Sequence, residues 1–173
     1  MKNKMTEKLF ELAYTDSMTE VQNRNAYEER LKKLRKPNAN ISRITVIVVD
    51  VNGLKEINDS YGHFCGDDAI KTVAKALRDT IGLKADIYRI GGDEFCIIIP
   101  DCARETAKEK LSIIQKQFAG DLSRPYPKSF SYGLVEAPAK HAPMNAESLI
   151  QQADTAMYIQ KREHKQQYLT KLS

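Results

Sequence analysis

The residues best suited to chemistry are two neighbouring acids, Asp93 and Glu94, which directly follow a pair of glycines at 91–92. Apolar runs at 87–90 and 95–99 flank this segment, and the pattern predicts a β-hairpin. We expect the glycines to supply the positive φ angles of its turn. Their bare backbone also lets a bulky ligand approach. The segment therefore predicts a turn with two carboxylates on its rim.

A third acid closes a predicted central strand. Residues 44–49 form an unbroken run of β-branched side chains, which is typical of a strand buried on both faces, and Asp50 follows it. Carboxylates here and on the hairpin suit Mg²⁺, which is usually held by one or two carboxylates plus phosphates. The alternatives are that Asp50 caps the next helix and that Asp93 is an ordinary turn residue.

These motifs, in this order and spacing, resemble the GGDEF family of diguanylate cyclases. The resemblance extends over residues 9–165. The matching segments are Leu12-Ala13 with Asp16, Thr19 and Asn23-Arg24; Asp50-Val51-Asn52-Gly53-Leu54-Lys55, Asn58-Asp59, Gly62-His63 and Gly66-Asp67; Gly91-Gly92-Asp93-Glu94-Phe95; Ser129-Phe130-Ser131-Tyr132-Gly133; and Ala153-Asp154-Thr155-Ala156-Met157-Tyr158 with Lys161.

Composition is that of an ordinary single domain of 173 residues. A formal net charge of +4 is too small to indicate a nucleic-acid partner, and zinc-finger spacing is absent. No run approaches the ~20 apolar residues of a membrane span, and the first residues lack a signal peptide's apolar core. Three cysteines without metal-type spacing fit a reducing compartment. We expect a cytoplasmic protein with no membrane contact.

The predicted order of strand, helix, hairpin, helix, strand and helix indicates an α+β fold with a mostly antiparallel central sheet flanked by helices. The resemblance implies the palm-like fold of nucleotide cyclases. Residues 1–14 are expected to be a helical lead-in from an upstream sensor domain absent here, and residues 15–173 the catalytic domain. We also expect a loop at 60–66, helix caps at Asp101 and Asn145, and a short closing strand within 166–173.

The resemblance implies a reaction and its metal site. Two GTP molecules would condense into cyclic di-GMP with release of two pyrophosphates, at a homodimer in which each half-site brings one GTP. Asp50 and Asp93 would ligate Mg²⁺, with Mn²⁺ possible, through their carboxylates, and Val51 through its carbonyl. Asp93 would also be the favoured proton acceptor, and Glu94 would support the metal or a substrate hydroxyl.

The resemblance also implies the substrate contacts. Lys55 would stabilise charge on the transferring phosphates, while Lys161 and Lys165, one helical turn apart, would meet the β- and γ-phosphates. The alternative for both later lysines is simple solvent exposure. The residues expected at the guanine base are Asn58 and Asp67, which would read its edge, and His63, which would lie beside it or act as an ordinary loop hydrogen-bonder.

Some positions depart from the family pattern. Glu20 and Val21 stand where Gly-Leu is usual, Gly53 replaces a frequent aromatic, and His164 and Lys165 replace glycine and arginine. The Arg-x-x-Asp pair used elsewhere in the family to bind product is lacking, because Leu83 stands at the arginine position relative to Asp86; we expect no product inhibition through it.

Three interpretations stay open. The leading one is the Mg²⁺-dependent diguanylate cyclase, favoured because the acids and the base-reading residues are intact. The second is a non-catalytic GTP- or cyclic di-GMP-binding signalling module with the same fold. The third is a related nucleotidyl cyclase that reads a different base.

Overall fold

The computed structural model of the chain describes residues 2–36, 40–139 and 145–172. The elements in chain order are α1 (Lys2–Tyr14), α2 (Arg24–Leu34), β1 (Arg43–Val51), α3 (Leu54–Tyr61), α4 (His63–Ile81), β2 (Asp86–Arg89), β3 (Glu94–Pro100), α5 (Arg104–Gly120), β4 (Phe130–Pro138) and α6 (Ala146–Leu172). None of the described helices is long and apolar enough to cross a membrane.

The four strands form one sheet in the order β2-β3-β1-β4, and every pairing is antiparallel. The expected α+β fold with an antiparallel central sheet is therefore confirmed. The β-branched run lies in β1, which pairs on both edges and is buried from its second residue to its last. This central position explains why the run does not alternate with polar residues.

Successive side chains of β1 point to opposite faces of the sheet and enter two separate cores. Ile47, Val49 and Val51 pack with residues of α3, α4 and α5. Ile44, Val46 and Val48 pack with residues of α2 and α6. Asp50 continues the second series, so its side chain lies on the face that α6 covers.

Gly133 of β4 allows α6 to lie directly on the sheet. A Cβ atom there would lie 1.8 Å from the Ala153 carbonyl oxygen and 2.5 Å from the Met157 nitrogen. The side-chain Oε1 of Gln160 further accepts the backbone N–H of Tyr132 at 2.6 Å. The long helix that carries Lys161 is thereby fixed against β4.

The predicted loop at 60–66 is wrong, because a single residue separates the two helices there. Gly62, with φ of 85°, ends α3, and α4 begins at once with His63. Gly66 lies inside α4, where its missing side chain makes room for Asn58. Gly66, which predicts a loop by sequence, is instead a helical residue in close contact with Asn58.

Two other local predictions are also wrong. Asp101 does not cap α5, which begins after Ala103; its carboxylate accepts the N–H and hydroxyl of Ser42 at 2.8 and 2.7 Å. The expected closing strand is helical instead, since residues 146–172 contain neither glycine nor proline and α6 continues to Leu172; only position 173 of that segment lies outside the described residues. The Asn145 cap is confirmed, because its side chain accepts the Ser148 N–H at 3.0 Å.

Candidate functional site

The end of β1 and the β2–β3 hairpin meet at one corner of the sheet. The register places Asp50 opposite Glu94, and the Val51 N–H donates to the Asp93 carbonyl at 3.0 Å. Residues directly opposite in an antiparallel pair have Cβ atoms about 5 Å apart on the same face. The structure thus brings together the three acids that lie about forty positions apart in the sequence.

An arginine holds the hairpin in shape. The Arg89 guanidinium donates to the Gly92 carbonyl at 2.7 and 3.1 Å and to the Asp16 carboxylate at 3.1 and 3.3 Å. Partial burial acts to raise the pKa of Asp16, but hydrogen bonds from Thr19 and Arg89 hold that pKa below its usual range. This Asp16–Arg89 ion pair ties the turn after α1 to the acidic hairpin.

The turn after α1 contains one of the departures from the family pattern. Glu20, which stands where glycine is usual, has φ of 62°, a left-handed conformation that glycine adopts without strain. Its carboxylate lies 3.1 Å from the Arg78 guanidinium of α4.

The expectation that the hairpin glycines adopt positive φ angles is wrong. The described glycines with positive φ are Gly53, Gly62 and Gly82. A Cβ on Gly91 would lie 2.7 Å from Glu94 Oε2, so a side chain there would shift the Glu94 carboxylate. Gly92 has no atom within 4 Å of such a Cβ, so its backbone is open to an approaching ligand.

Asp50 is a buried acid with a cationic neighbour. Its relative exposure is 3%, and Lys161 Nζ lies 2.7 Å from each of its carboxylate oxygens. Only Oδ2 accepts a hydrogen bond of good geometry, while the buried Oδ1 accepts none. Burial raises the pKa of Asp50, Lys161 opposes that rise, and the Asp93 and Glu94 carboxylates add to it.

These acids fit a hard divalent cation. The described residues contain no group of three or more His, Cys, Asp or Glu arranged to hold a metal ion by themselves. Mg²⁺ needs less, because one or two carboxylates plus substrate phosphates and waters complete its shell. Asp50 offers a buried oxygen that lacks a hydrogen bond. The Asp93 carboxylate makes no ion pair within the described ranges, so both can serve as oxygen ligands.

The start of α3 is an uncapped helix N-terminus. Its N-cap, Gly53, has φ of 67° and provides no side-chain hydrogen bond to the first turn. Uncapped N–H groups at a helix N-terminus are a ready site for phosphate oxygens. Lys55 lies in that turn and is exposed.

The predicted base-reading residues lie on α3 and α4, which pack together. The side-chain oxygen of Asn58 is buried without a hydrogen-bond partner in the described structure, and a Cβ on Gly66 would lie only 2.0 Å from it. The Asp68 carboxylate is held by Arg124 at 2.5 Å and by the Tyr126 hydroxyl. The neighbouring Asp67 makes no such contact within the described chain, so it is the acid left for a ligand.

The remaining predicted site residues are exposed. His63 opens α4 at the surface, and Lys165 lies one turn beyond Lys161 on α6. Lys161 contacts Asp50, whereas Lys165 makes no contact of that kind in the described chain. The two lysines therefore do not contact the same group.

Sequence reasoning missed the structural part that Asn52 plays. Its backbone N–H donates to the Ser129 carbonyl at 3.0 Å, its Nδ2 donates to Ser129 Oγ at 3.2 Å, and its Oδ1 accepts the Ser131 hydroxyl at 2.8 Å. This buried amide fixes the chain after Asp50 to the start of β4. The available signal was the pair of serines around Phe130.

Comparison with known proteins adds a family match. The family model described as "Diguanylate cyclase, GGDEF domain" matches residues 13–167. Diguanylate cyclase DgcS of Shewanella oneidensis is 31% identical over 147 residues, which is 84% of this chain and 49% of the relative. Cyclic di-GMP phosphodiesterase PdeR of Escherichia coli is 31% identical over 159 residues, 90% of this chain and 23% of the relative. The chain thus spans half the length of these relatives or less.

The fold has close structural counterparts. The coiled coil and GGDEF domain of DgcB from Caulobacter crescentus, solved in complex with c-di-GMP, superimposes with a TM-score of 0.80 at 25% identity. The match covers 93% of this chain and 87% of that one. This likeness confirms the expected palm-like arrangement of sheet and helices.

Proposed function

Because the chain belongs to the GGDEF domain family, we propose that it is a diguanylate cyclase. The enzyme would condense two GTP molecules into cyclic di-GMP and two pyrophosphates. One observation carries the proposal: Asp50 stands opposite Glu94, beside Asp93, at an open glycine hairpin. A cytoplasmic setting, where GTP and Mg²⁺ are both available, is part of this proposal.

The acids of the corner would hold Mg²⁺, or Mn²⁺ in its place, through the carboxylates of Asp50 and Asp93 and the carbonyl of Val51. Such an ion neutralises phosphate charge and lowers the barrier to attack at the α-phosphate. Asp93 is the proposed acceptor of the 3′-hydroxyl proton. Glu94, beside Gly91, supports the metal or a substrate hydroxyl.

The phosphates would lie between α3 and α6. The uncapped N–H groups of α3 and the Lys55 ammonium would bind the transferring phosphates. Lys161 and Lys165 of α6 would bind the β- and γ-phosphates. Positive groups on both sides would bind the triphosphate and orient its α-phosphate for the partner nucleotide.

Guanine recognition is assigned to Asn58 and Asp67, with His63 beside the base. An amide satisfies mixed donor and acceptor groups, and a carboxylate accepts from the ring N–H and exocyclic amine of guanine, which adenine cannot match. The unsatisfied, buried Asn58 oxygen supports this role, because a buried acceptor without a partner is costly.

Synthesis would require two copies of the chain, each bringing one GTP. The α1 helix offers a surface for pairing, because Leu9, Phe10 and Leu12 are all more than half exposed. An exposed apolar stripe on a helix favours association with a second apolar surface.

Incubation with GTP and Mg²⁺, followed by chromatography, tests this function. We expect cyclic di-GMP and pyrophosphate in a 1:2 ratio, and a specific activity that rises with protein concentration because two copies must meet. ATP should give no product. GTP that binds but stays unchanged at high protein concentration would contradict the enzyme assignment.

The second candidate is a non-catalytic nucleotide-binding module. The similarity to PdeR favours it, since the matched region there belongs to a protein named as a phosphodiesterase. Family membership therefore does not by itself establish synthesis, and the product assay separates the two functions.

Replacing Gly66 with alanine should weaken GTP binding by roughly tenfold to a hundredfold, the effect of losing one or two hydrogen bonds to the base. The new Cβ would lie 2.0 Å from Asn58 Oδ1 and displace that amide. Calorimetry with a non-hydrolysable GTP analogue measures the change. Gly120→Ala, where a Cβ meets no atom within 4 Å, is the matched control. Affinity within twofold of the wild type would count against Asn58 as a base contact.

A further inference from the structure

The Asp50–Lys161 contact joins a buried acid of the sheet to a flexible cation of α6. The Asp50 side chain is 5% exposed, whereas that of Lys161 is 42% exposed. Lys161 Nζ lies 2.7 Å from both carboxylate oxygens, and it is the only ion-pair partner that Asp50 has among the described residues. The ammonium thus lies at the position of a metal ion bound by both Asp50 oxygens.

The corner needs positive charge whether or not a metal is bound. Asp50 is removed from water, and the carboxylates of Asp93 and Glu94 act on it from the neighbouring strand. A buried anion beside two further anions is stable only with a cation next to it. A divalent ion and an ammonium group at these two oxygens repel each other strongly, so the ammonium opposes metal binding for as long as it stays beside Asp50.

The lysine can leave without disturbing the fold. The α6 backbone is held by its close contact with Gly133 and by the hydrogen bond from Tyr132 to Gln160. The ammonium is carried on a flexible four-carbon stem that already reaches solvent. Displacement therefore requires a change of side-chain rotamer alone.

We propose that Lys161 is an internal counter-ion of Asp50 that the metal must displace, and that this exchange releases the ammonium to bind the triphosphate. The inference rests on the proposed function, since it uses the same metal and nucleotide. Because of this exchange, the metal binds weakly before GTP is bound and strongly once the GTP phosphates bind Lys161. Metal and nucleotide would then bind cooperatively.

Metal affinity without nucleotide tests the exchange. Mn²⁺ is titrated into the full chain and free Mn²⁺ is followed by electron paramagnetic resonance. Lys161→Met should bind Mn²⁺ at least about tenfold more tightly than the wild type, since no ammonium competes for Asp50. Lys161→Arg, which keeps the charge, should bind as weakly as the wild type, and Lys165→Met should also be unchanged.

Unchanged or weaker Mn²⁺ binding by Lys161→Met would overturn the exchange. Lys161→Gln provides the same test if the methionine variant does not fold. As a second readout, saturating Mn²⁺ should raise the melting temperature of the uncharged variant more than that of the wild type. No nucleotide is present, so these results hold even if the chain makes no cyclic di-GMP. A negative result would overturn the exchange but not the cyclase assignment, which the product assay tests separately.

Discussion

Asp50→Asn is expected to lower cyclic di-GMP synthesis by about a thousandfold, the size of effect that follows loss of a group stabilising charge in the transition state. The amide keeps the shape of the side chain but is a poor ligand for Mg²⁺. Asp93→Ala should give a loss of similar size, since it removes a metal ligand and the proposed proton acceptor together. Initial rates with GTP and Mg²⁺ measure both.

The Asp50→Asn protein should nevertheless be folded. Burial raises the pKa of Asp50, which shows that the charged form is disfavoured there, so a neutral amide should leave the melting temperature unchanged or higher. Asp79→Asn on α4 is the matched control, because that acid is exposed and, among the described residues, forms ion pairs only with Lys75 and Arg78 of the same helix. If the Asp50→Asn protein keeps more than a tenth of wild-type activity, Asp50 is not a metal ligand needed for the reaction.

Gly133→Ala should lower the free energy of unfolding by about 3 kcal/mol, at the upper end of the usual range for overpacking. The added Cβ would meet the Ala153 carbonyl oxygen at 1.8 Å and the Met157 nitrogen at 2.5 Å, and backbone atoms cannot move aside as a side chain can. In a chain of this length the melting temperature should fall by about 6–12 °C. Thermal unfolding followed by circular dichroism measures this change.

Gly120→Ala is again the control, since its Cβ has open space and alanine favours the helix. A melting temperature for Gly133→Ala within about 2 °C of the wild type would mean that α6 does not lie on β4 as closely as described. The variant should also lose activity, because displacement of α6 moves Lys161 and Lys165 away from the proposed phosphate site.

The sheet and the acidic corner could be predicted because their signals are local. The β-branched run before Asp50 and the glycine hairpin before Asp93 each specify a strand end, and antiparallel pairing then brings the two ends together. The antiparallel α+β fold followed from the same element order. The family resemblance added roles that neither composition nor spacing contains.

The errors arose where a tertiary contact decides the local structure. Gly66 suggests a loop by sequence but lies inside α4, where the lack of a side chain leaves room for Asn58. Asp101 resembles a helix cap but hydrogen-bonds to Ser42 at the start of β1. The Lys161–Asp50 pair spans 111 positions and depends on where a flexible side chain turns, which no periodicity encodes.

Anomalous diffraction from crystals grown with Mn²⁺ and a non-hydrolysable GTP analogue tests the central claim most directly. We predict a peak about 2.1 Å from carboxylate oxygens of both Asp50 and Asp93, next to the triphosphate, with Lys161 turned from Asp50 to the phosphates. A bound nucleotide whose metal contacts neither acid, or a Lys161 still paired with Asp50, would contradict the account.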